Sequence, residues 1–145
     1  MKVRILRLMK GHMIMISTKG RYAVRVMIDL AEHTDEKNVP LKDIATRQLI
    51  SKKYLEAIVK DLVKAKLIKG SSGKGGGYKL VKKPEEYTVG EILESTEGPL
   101  ASVACIADEK YNCPRKTFCQ TLPMWEEFDG MVHDYFYSKK LSELL

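Results

Sequence analysis

At 145 residues the chain is one domain of ordinary size, with 44% apolar residues to fill a core and 30% charged residues suited to a soluble, cytoplasmic protein. It has no apolar run of about 18 residues, which excludes a membrane-spanning helix. The net charge of +6 is unevenly spread: residues 1–83 carry 20 Lys/Arg against 7 Asp/Glu, and residues 84–145 carry 5 against 12. A basic front and an acidic back suggest that one part of the molecule meets a polyanion, the alternative being an ordinary solvated charge run.

Residues 1–14 mix basic and apolar side chains, and Arg4, Arg7 and Lys10 break up the apolar stretch that an export signal needs. They are expected to be a disordered leader or arm, from an upstream start codon or a cloning remnant, with the natural chain beginning near Met15. Thr18 is then expected to cap a helix whose apolar stripe is Tyr22/Ala23, Val26/Met27 and Leu30/Ala31. The polar run 33–38 ends it.

Val39-Pro40-Leu41 reads as extended, because proline biases its predecessor away from the helix. A short helix from Lys42 to about Gln48 follows, with Leu41, Ile44 and Ala45 inward. Leu49-Ile50 makes an apolar turn with a buried isoleucine. Ser51 caps a longer helix with Tyr54/Leu55, Ile58/Val59 and Leu62/Val63 inward. A short helix, a tight turn and a second helix form a helix-turn-helix pattern, although a plain helical hairpin has the same periodicity. The next segment decides between them. Leu67–Lys69 and Tyr78–Val81 are strand-like and flank a glycine-rich tip, residues 70–77, where glycine supplies positive φ. A helix-turn-helix followed by a basic hairpin is a winged helix. The tip is not a phosphate-binding loop, since Gly75 rather than Ser or Thr follows Lys74 and a strand rather than a helix comes next.

Thr88 and Glu91 form a capping-box pattern that opens a connecting helix, which Gly98-Pro99 stops. Residues 101–123 show no periodicity and hold all three cysteines. In the last helix, from about Met124 to Ser138, Trp125, Phe128, Val132 and Tyr135 recur at heptad spacing, with Met131 and Phe136 widening the stripe. So aromatic a face reads as a dimerisation helix. The expected fold is mainly α with a small β-hairpin wing: a winged helix-turn-helix (15–84), a connecting helix (85–100), a cysteine loop (101–123) and a long C-terminal dimerisation helix (124–145).

In such a motif the N-terminal residues of the second helix face base edges in the major groove of double-stranded DNA. Here the outward residues include Ser51, Lys52, Lys53, Glu56, Lys60 and Lys64. The lysines suit phosphates, which set affinity and salt dependence. Glu56 is repelled by phosphates, so it either accepts from a cytosine amino group or pairs with Lys52 or Lys60 four residues away. Lys74 with Ser71 and Ser72 at the wing tip, and Arg21 and Lys19 at the start of the first helix, are further contacts. A dimer would bind a roughly palindromic operator.

Cys105, Cys113 and Cys119 have seven and five residues between them. Secreted disulfides are not expected without an export signal, and structural zinc uses shorter Cys pairs. Widely spaced thiolates on a loop suit an iron–sulfur cluster better, and Lys110, Arg115 and Lys116 nearby favour thiolates. A thiol-dependent enzyme is the remaining class, but the chain has no Cys-x-x-Cys pair and no evident His/Asp partner set, so it is not read as an enzyme.

Together, Ser17–Arg25, Ile50-Ser51 with Tyr54-Leu55-Glu56, Gly75–Tyr78 and the three spaced cysteines before Trp125 resemble the IscR/NsrR/CymR family of winged-helix transcription regulators. The resemblance covers nearly everything from Met15 onward. It implies a homodimer with crossing C-terminal helices and a cluster, usually 2Fe–2S, ligated by Cys105, Cys113 and Cys119. It also implies that Glu56 reads a base, and that the regulator, often a repressor, controls iron–sulfur cluster biogenesis. Alternatives within the family are a nitric oxide-responsive repressor, or a CymR-like regulator of cysteine and sulfur metabolism using thiol redox or a protein partner. Two positions depart from it. The IscR-like histidine three residues after the last cysteine is Leu122 here, and the NsrR-like aspartate near the first helix is Arg21, so the fourth ligand is unassigned. His33 and His133 are read as ordinary histidines. The expected mechanism is linkage, with cluster binding ordering 101–123 and so changing the spacing of the two recognition helices.

Overall fold

Ser17, not Thr18, opens the first helix. In the computed structural model, which describes residues 16–145, helix α1 spans Thr18–Glu32 and the Ser17 hydroxyl accepts from the Gly20 amide at 3.1 Å. The expected Thr18 cap fails because Thr18 already lies inside the helix, where its hydroxyl accepts from Arg21 at 3.3 Å. Ser17 is itself held from a distance: its amide and hydroxyl donate to Glu97 Oε1 at 2.7 and 2.6 Å. A carboxylate over a helix N-terminus is favourable. Gly20 leaves room for it, since an added Cβ would lie 2.0 Å from that oxygen. The leader assigned to residues 1–14 falls outside the described residues.

The described chain forms two compact units, residues 16–98 with 136–145, and residues 99–135. In the first, α1 buries Ala23, Val26, Met27, Leu30 and Ala31. Val39 pairs as an isolated antiparallel bridge with Tyr78. Helix α2 (Leu41–Gln48) ends at Leu49 in the left-handed region, and the chain turns through buried Ile50 into α3 (Lys52–Lys64). Ser51 caps α3 by accepting from the Tyr54 amide at 3.2 Å. The inner arc of α3 is Leu55, Ile58, Val59 and Leu62, each worth about 2 kcal/mol of apolar burial. Tyr54 and Val63, expected inward, lie on the rim and are exposed. They are one residue off the buried arc at each end, and the Tyr54 ring instead packs edge-on against Tyr22 at 5.7 Å.

Strands β1 (Ile68–Ser71) and β2 (Gly77–Leu80) form the antiparallel hairpin, with register Ile68↔Leu80 to Ser71↔Gly77. At its base Tyr87 is fully buried. Its hydroxyl donates to Leu67 O at 2.7 Å and accepts from the Val81 and Lys82 amides at 2.9 and 3.0 Å. Helix α4 (Val89–Glu97) opens with the expected capping box: Thr88 Oγ1 accepts from the Glu91 amide at 3.1 Å, and Glu91 accepts from the Thr88 amide at 2.9 Å. The chain end returns to this unit. Thr88 bridges Lys140, Leu141 N–H donates to Tyr87 O at 3.0 Å, and the Leu141 side chain is fully buried.

The second unit holds a short helix α5 (Ala104–Ala107), a 3₁₀ turn at Lys116–Phe118 and most of α6 (Leu122–Ser138), which starts two residues before the expected Met124. The buried Asp129 accepts from the Ser102 amide through both oxygens, at 3.0 and 3.2 Å. Among the described residues no helix is long and apolar enough to cross a membrane.

Candidate nucleic-acid interface and cysteine loop

A buried ionic clamp sets the turn between α2 and α3. Asp29 on α1 is 1% exposed and accepts from Arg47 Nη2 and Nε at 2.7 and 3.0 Å, and from Gln48 Nε2 at 3.0 Å. Burial alone would raise its pKa, but the Arg47 and Gln48 hydrogen bonds and the Arg47 charge outweigh it and hold the carboxyl below its ordinary value. Arg25 continues the network, its guanidinium donating to the Gln48 backbone carbonyl and side chain. His33 sits at the other end, with Nδ1 2.7 Å from Asp29 O. It is a helix-end residue, as expected.

The clamp presents the outer face of α3. Ser51, Lys52, Lys53, Glu56, Ala57, Lys60 and Lys64 are all exposed. Ser51 doubles as the cap, so its hydroxyl proton is what it can offer a phosphate. Glu56 forms no ion pair among the described residues, neither with Lys52 nor with Lys60. Between α3 and the hairpin lies a groove of about 370 Å³ lined by Glu56, Val59, Lys60, Val63, Gly70 and Tyr78. At the hairpin tip Ser71, Ser72 and Lys74 are exposed, and Asn38 donates to Gly75 O at 3.1 Å. Gly77 presses the wing against the core: an added Cβ would meet Val39 O at 2.3 Å. At the start of α1, Arg21 is exposed, whereas Lys19 is held by Asp61 of α3 at 2.5 Å.

The three cysteines are free and half-buried, Cys105 on α5, Cys113 in the following loop and Cys119 just ahead of α6. The Cys119 thiol is pushed below its ordinary value by the Thr121 hydroxyl (3.5 Å), then by the Thr121 and Leu122 amides at the start of α6 and by Arg115. Leu122 is the first residue of α6. His133 is exposed on α6, 3.4 Å from Asp134. Among the described residues no three His, Cys, Asp or Glu side chains group so as to hold a metal ion. The donor chemistry fits an iron–sulfur cluster, but the placement does not.

A family model described as "Rrf2: Iron-dependent Transcriptional regulator" matches residues 16–145. The chain belongs to the Rrf2 family of transcription regulators. Among Rrf2 relatives, the regulator IscR of Aliivibrio salmonicida is 37% identical over 130 residues, covering 90% of this chain and 76% of its own. Protein rrf2 of Nitratidesulfovibrio vulgaris is 41% identical over 130 residues, covering 90% and 86%. Of solved structures, T. potens IscR superposes with a TM-score of 0.70 at 36% identity, covering 90% of this chain and 85% of that one. CymR of B. subtilis superposes with a TM-score of 0.70 at 35% identity, covering 90% and 95%. The resemblance and the winged helix-turn-helix with its long C-terminal helix therefore hold, and the Rrf2 family is one of DNA-binding regulators rather than enzymes. Sequence reasoning missed Asp29, Arg25, Gln48 and Tyr87. The signal for Asp29 was a carboxylate on the apolar face of α1, three residues after Val26.

Proposed function

We propose that this Rrf2 regulator acts in the cytoplasm as a homodimer on a roughly palindromic operator in double-stranded DNA. Its sensor is the loop 101–123, with an iron–sulfur cluster of 2Fe–2S type on Cys105, Cys113 and Cys119, and its role is control of iron–sulfur cluster biogenesis. The DNA contacts are Ser51, Lys52, Lys53, Glu56 and Lys60 of α3, Ser72 and Lys74 of the wing, and Arg21 of α1. The carrying observation is the set of three free, half-buried cysteines in one short loop of a chain whose family is described as iron-dependent. A bound cluster would supply an iron- and redox-responsive centre. The chain's own contribution is to fix the start of the loop, through the Ser102 amide on Asp129 of α6. Drawing the three thiols together requires the loop between them to rearrange, and the fourth ligand has no candidate at Leu122 or Arg21.

Dimerisation is proposed through α6, which leaves Met124, Phe128, Met131 and Tyr135 exposed at helical spacing along one face. A thiol-redox sensor is the second reading. Two observations favour it: the Cys119 thiol is biased toward thiolate, and B. subtilis CymR is a structural neighbour.

Anaerobic purification and reconstitution, followed by an absorption spectrum and iron and sulfide analysis, separate the two readings. Visible charge-transfer bands with matched iron and sulfide, lost in the Cys105/Cys113/Cys119→Ala protein, are expected. A colourless, iron-free protein whose DNA affinity responds to oxidant selects the redox reading. Equal operator affinity for loaded and triple-substituted protein sinks the sensor role of the cluster.

A further inference from the structure

We infer that Leu49 is a DNA contact, an apolar side chain that abuts the 5-methyl group of a thymine at the edge of the bases faced by α3. The inference rests on the reading of α3 as the helix that enters the major groove. Leu49 ends α2 with φ 54° and ψ 44°, and it is 89% exposed, more than any other large apolar side chain among the described residues. The left-handed backbone is imposed by the turn: the Leu49 and Ile50 amides both return to Ala45 O, and Arg25 holds the Gln48 carbonyl. Glycine is the residue that meets this geometry without a steric penalty, and leucine is not. No burial within the chain offsets that penalty. Lys66 is the other non-glycine residue with positive φ among the described residues (φ 60°), but its solvated ammonium needs no covering partner.

The position says what covers Leu49. It lies two residues before the Ser51 cap, beside exposed Arg47, Lys52 and Lys53, and the N-terminal residues of such a helix approach base edges. A single exposed leucine with exposed Lys52 and Lys53 three and four residues on suits a polyanion rather than an apolar protein surface. In the major groove, the apolar feature presented by bases is the thymine methyl.

The test begins with a duplex selected from a random library by the full-length protein, with affinities then read by fluorescence anisotropy. Leu49→Gly relieves the left-handed strain, so its urea midpoint should equal or exceed that of the wild type. Its affinity for the selected duplex should nevertheless fall about fourfold for each thymine methyl left uncovered, with affinity for a scrambled duplex unchanged. Leu49→Met, which keeps an apolar side chain, should retain most of the wild-type affinity. Deoxyuridine placed at each thymine in turn, symmetrically in both halves, should cost the wild type the same factor at one position and cost Leu49→Gly nothing further there. Unchanged affinity of Leu49→Gly, an equal loss on scrambled DNA, or a wild type indifferent to deoxyuridine everywhere overturns the inference. A wild type that selects no sequence overturns the reading of α3 from which it starts.

Discussion

Arg47, in the last turn of α2, closes Nη2 and Nε on the buried carboxylate of Asp29 in α1, at 2.7 and 3.0 Å. This pair holds the helix-turn-helix against the helix beneath it. Asp29→Asn leaves Arg47 uncompensated, and with Arg47 partly exposed to water the expected cost is about 2 kcal/mol. Differential scanning calorimetry should show a fall of about 5–10 °C in Tm. Because the folded pKa of Asp29 is depressed, its contribution is present above the unfolded value of about 3.9 and lost as pH falls through the lower folded value. The wild type should therefore lose its advantage over Asp29→Asn as pH drops below about 4. Identical acid profiles for the two proteins would show that the pair contributes nothing.

Gly77 is where the wing meets the core. An added Cβ would lie 2.3 Å from Val39 O and 2.5 Å from its carbon, at φ 151°, between residues joined by two backbone hydrogen bonds of 2.8 and 2.9 Å. Backbone cannot yield as a side chain can, so Gly77→Ala is expected to cost about 2–4 kcal/mol and to open the Val39–Tyr78 bridge. Gly73→Ala, at the open tip with nothing within 4 Å, should cost only about 1 kcal/mol from its positive φ. Urea denaturation ranks the two. Amide exchange at Val39 and Tyr78 should quicken in the first variant and not in the second.

The features legible in the sequence are those written over a few residues. The Ser51 and Thr88 caps, the inner arc of α3 and the glycine-tipped hairpin follow from spacing, and the structure has them. The features not legible are held by distant partners. Ser17 displaces Thr18 as the cap because Glu97, eighty residues away, reaches it. Tyr87 ties Leu67 to the residues after β2, and Asp29 finds Arg47 eighteen residues on. The return of residues 139–145 onto Tyr87 and Val89 leaves no local signature either. The cysteines show the same limit from the other side. Their spacing is local and readable, but convergence on one point depends on loop geometry that spacing does not encode, and they do not converge here.

Tyr137 donates to Glu94 Oε2 at 2.6 Å, and burial together with the Glu94 charge raises its pKa to about 12. A phenol whose folded pKa is raised contributes stability fully present below the unfolded value of about 10 and lost as pH rises through the folded one. The stability gap between wild type and Tyr137→Phe should be about 1 kcal/mol at pH 8, reflecting one hydrogen bond, and should shrink from about pH 10 to 12. Denaturant midpoints of both proteins across that range give the test. A gap that is constant with pH would mean Tyr137 ionises no differently in the folded chain.

The proposed DNA face makes two kinds of contact that salt can separate. Lys52, Lys53, Lys60 and Lys74 are exposed cations, and each alanine substitution should weaken binding to selected and scrambled duplexes alike. Each should also flatten the plot of log affinity against log salt by about 0.9 per lysine, hence by about 1.8 for a dimer that loses two. Glu56 should behave oppositely, because its carboxylate pairs with no cation among the described residues and lies in the groove beside the wing. Glu56→Ala should leave the salt slope unchanged, tighten binding to scrambled DNA and lose about 1–3 kcal/mol of discrimination at one base pair of each half-site. Anisotropy titrations at four salt concentrations on both duplexes resolve these terms. Should the lysine variants keep the wild-type slope, α3 and the wing do not face phosphate. A Glu56→Ala protein that discriminates as well as wild type removes the base-reading role from that residue alone.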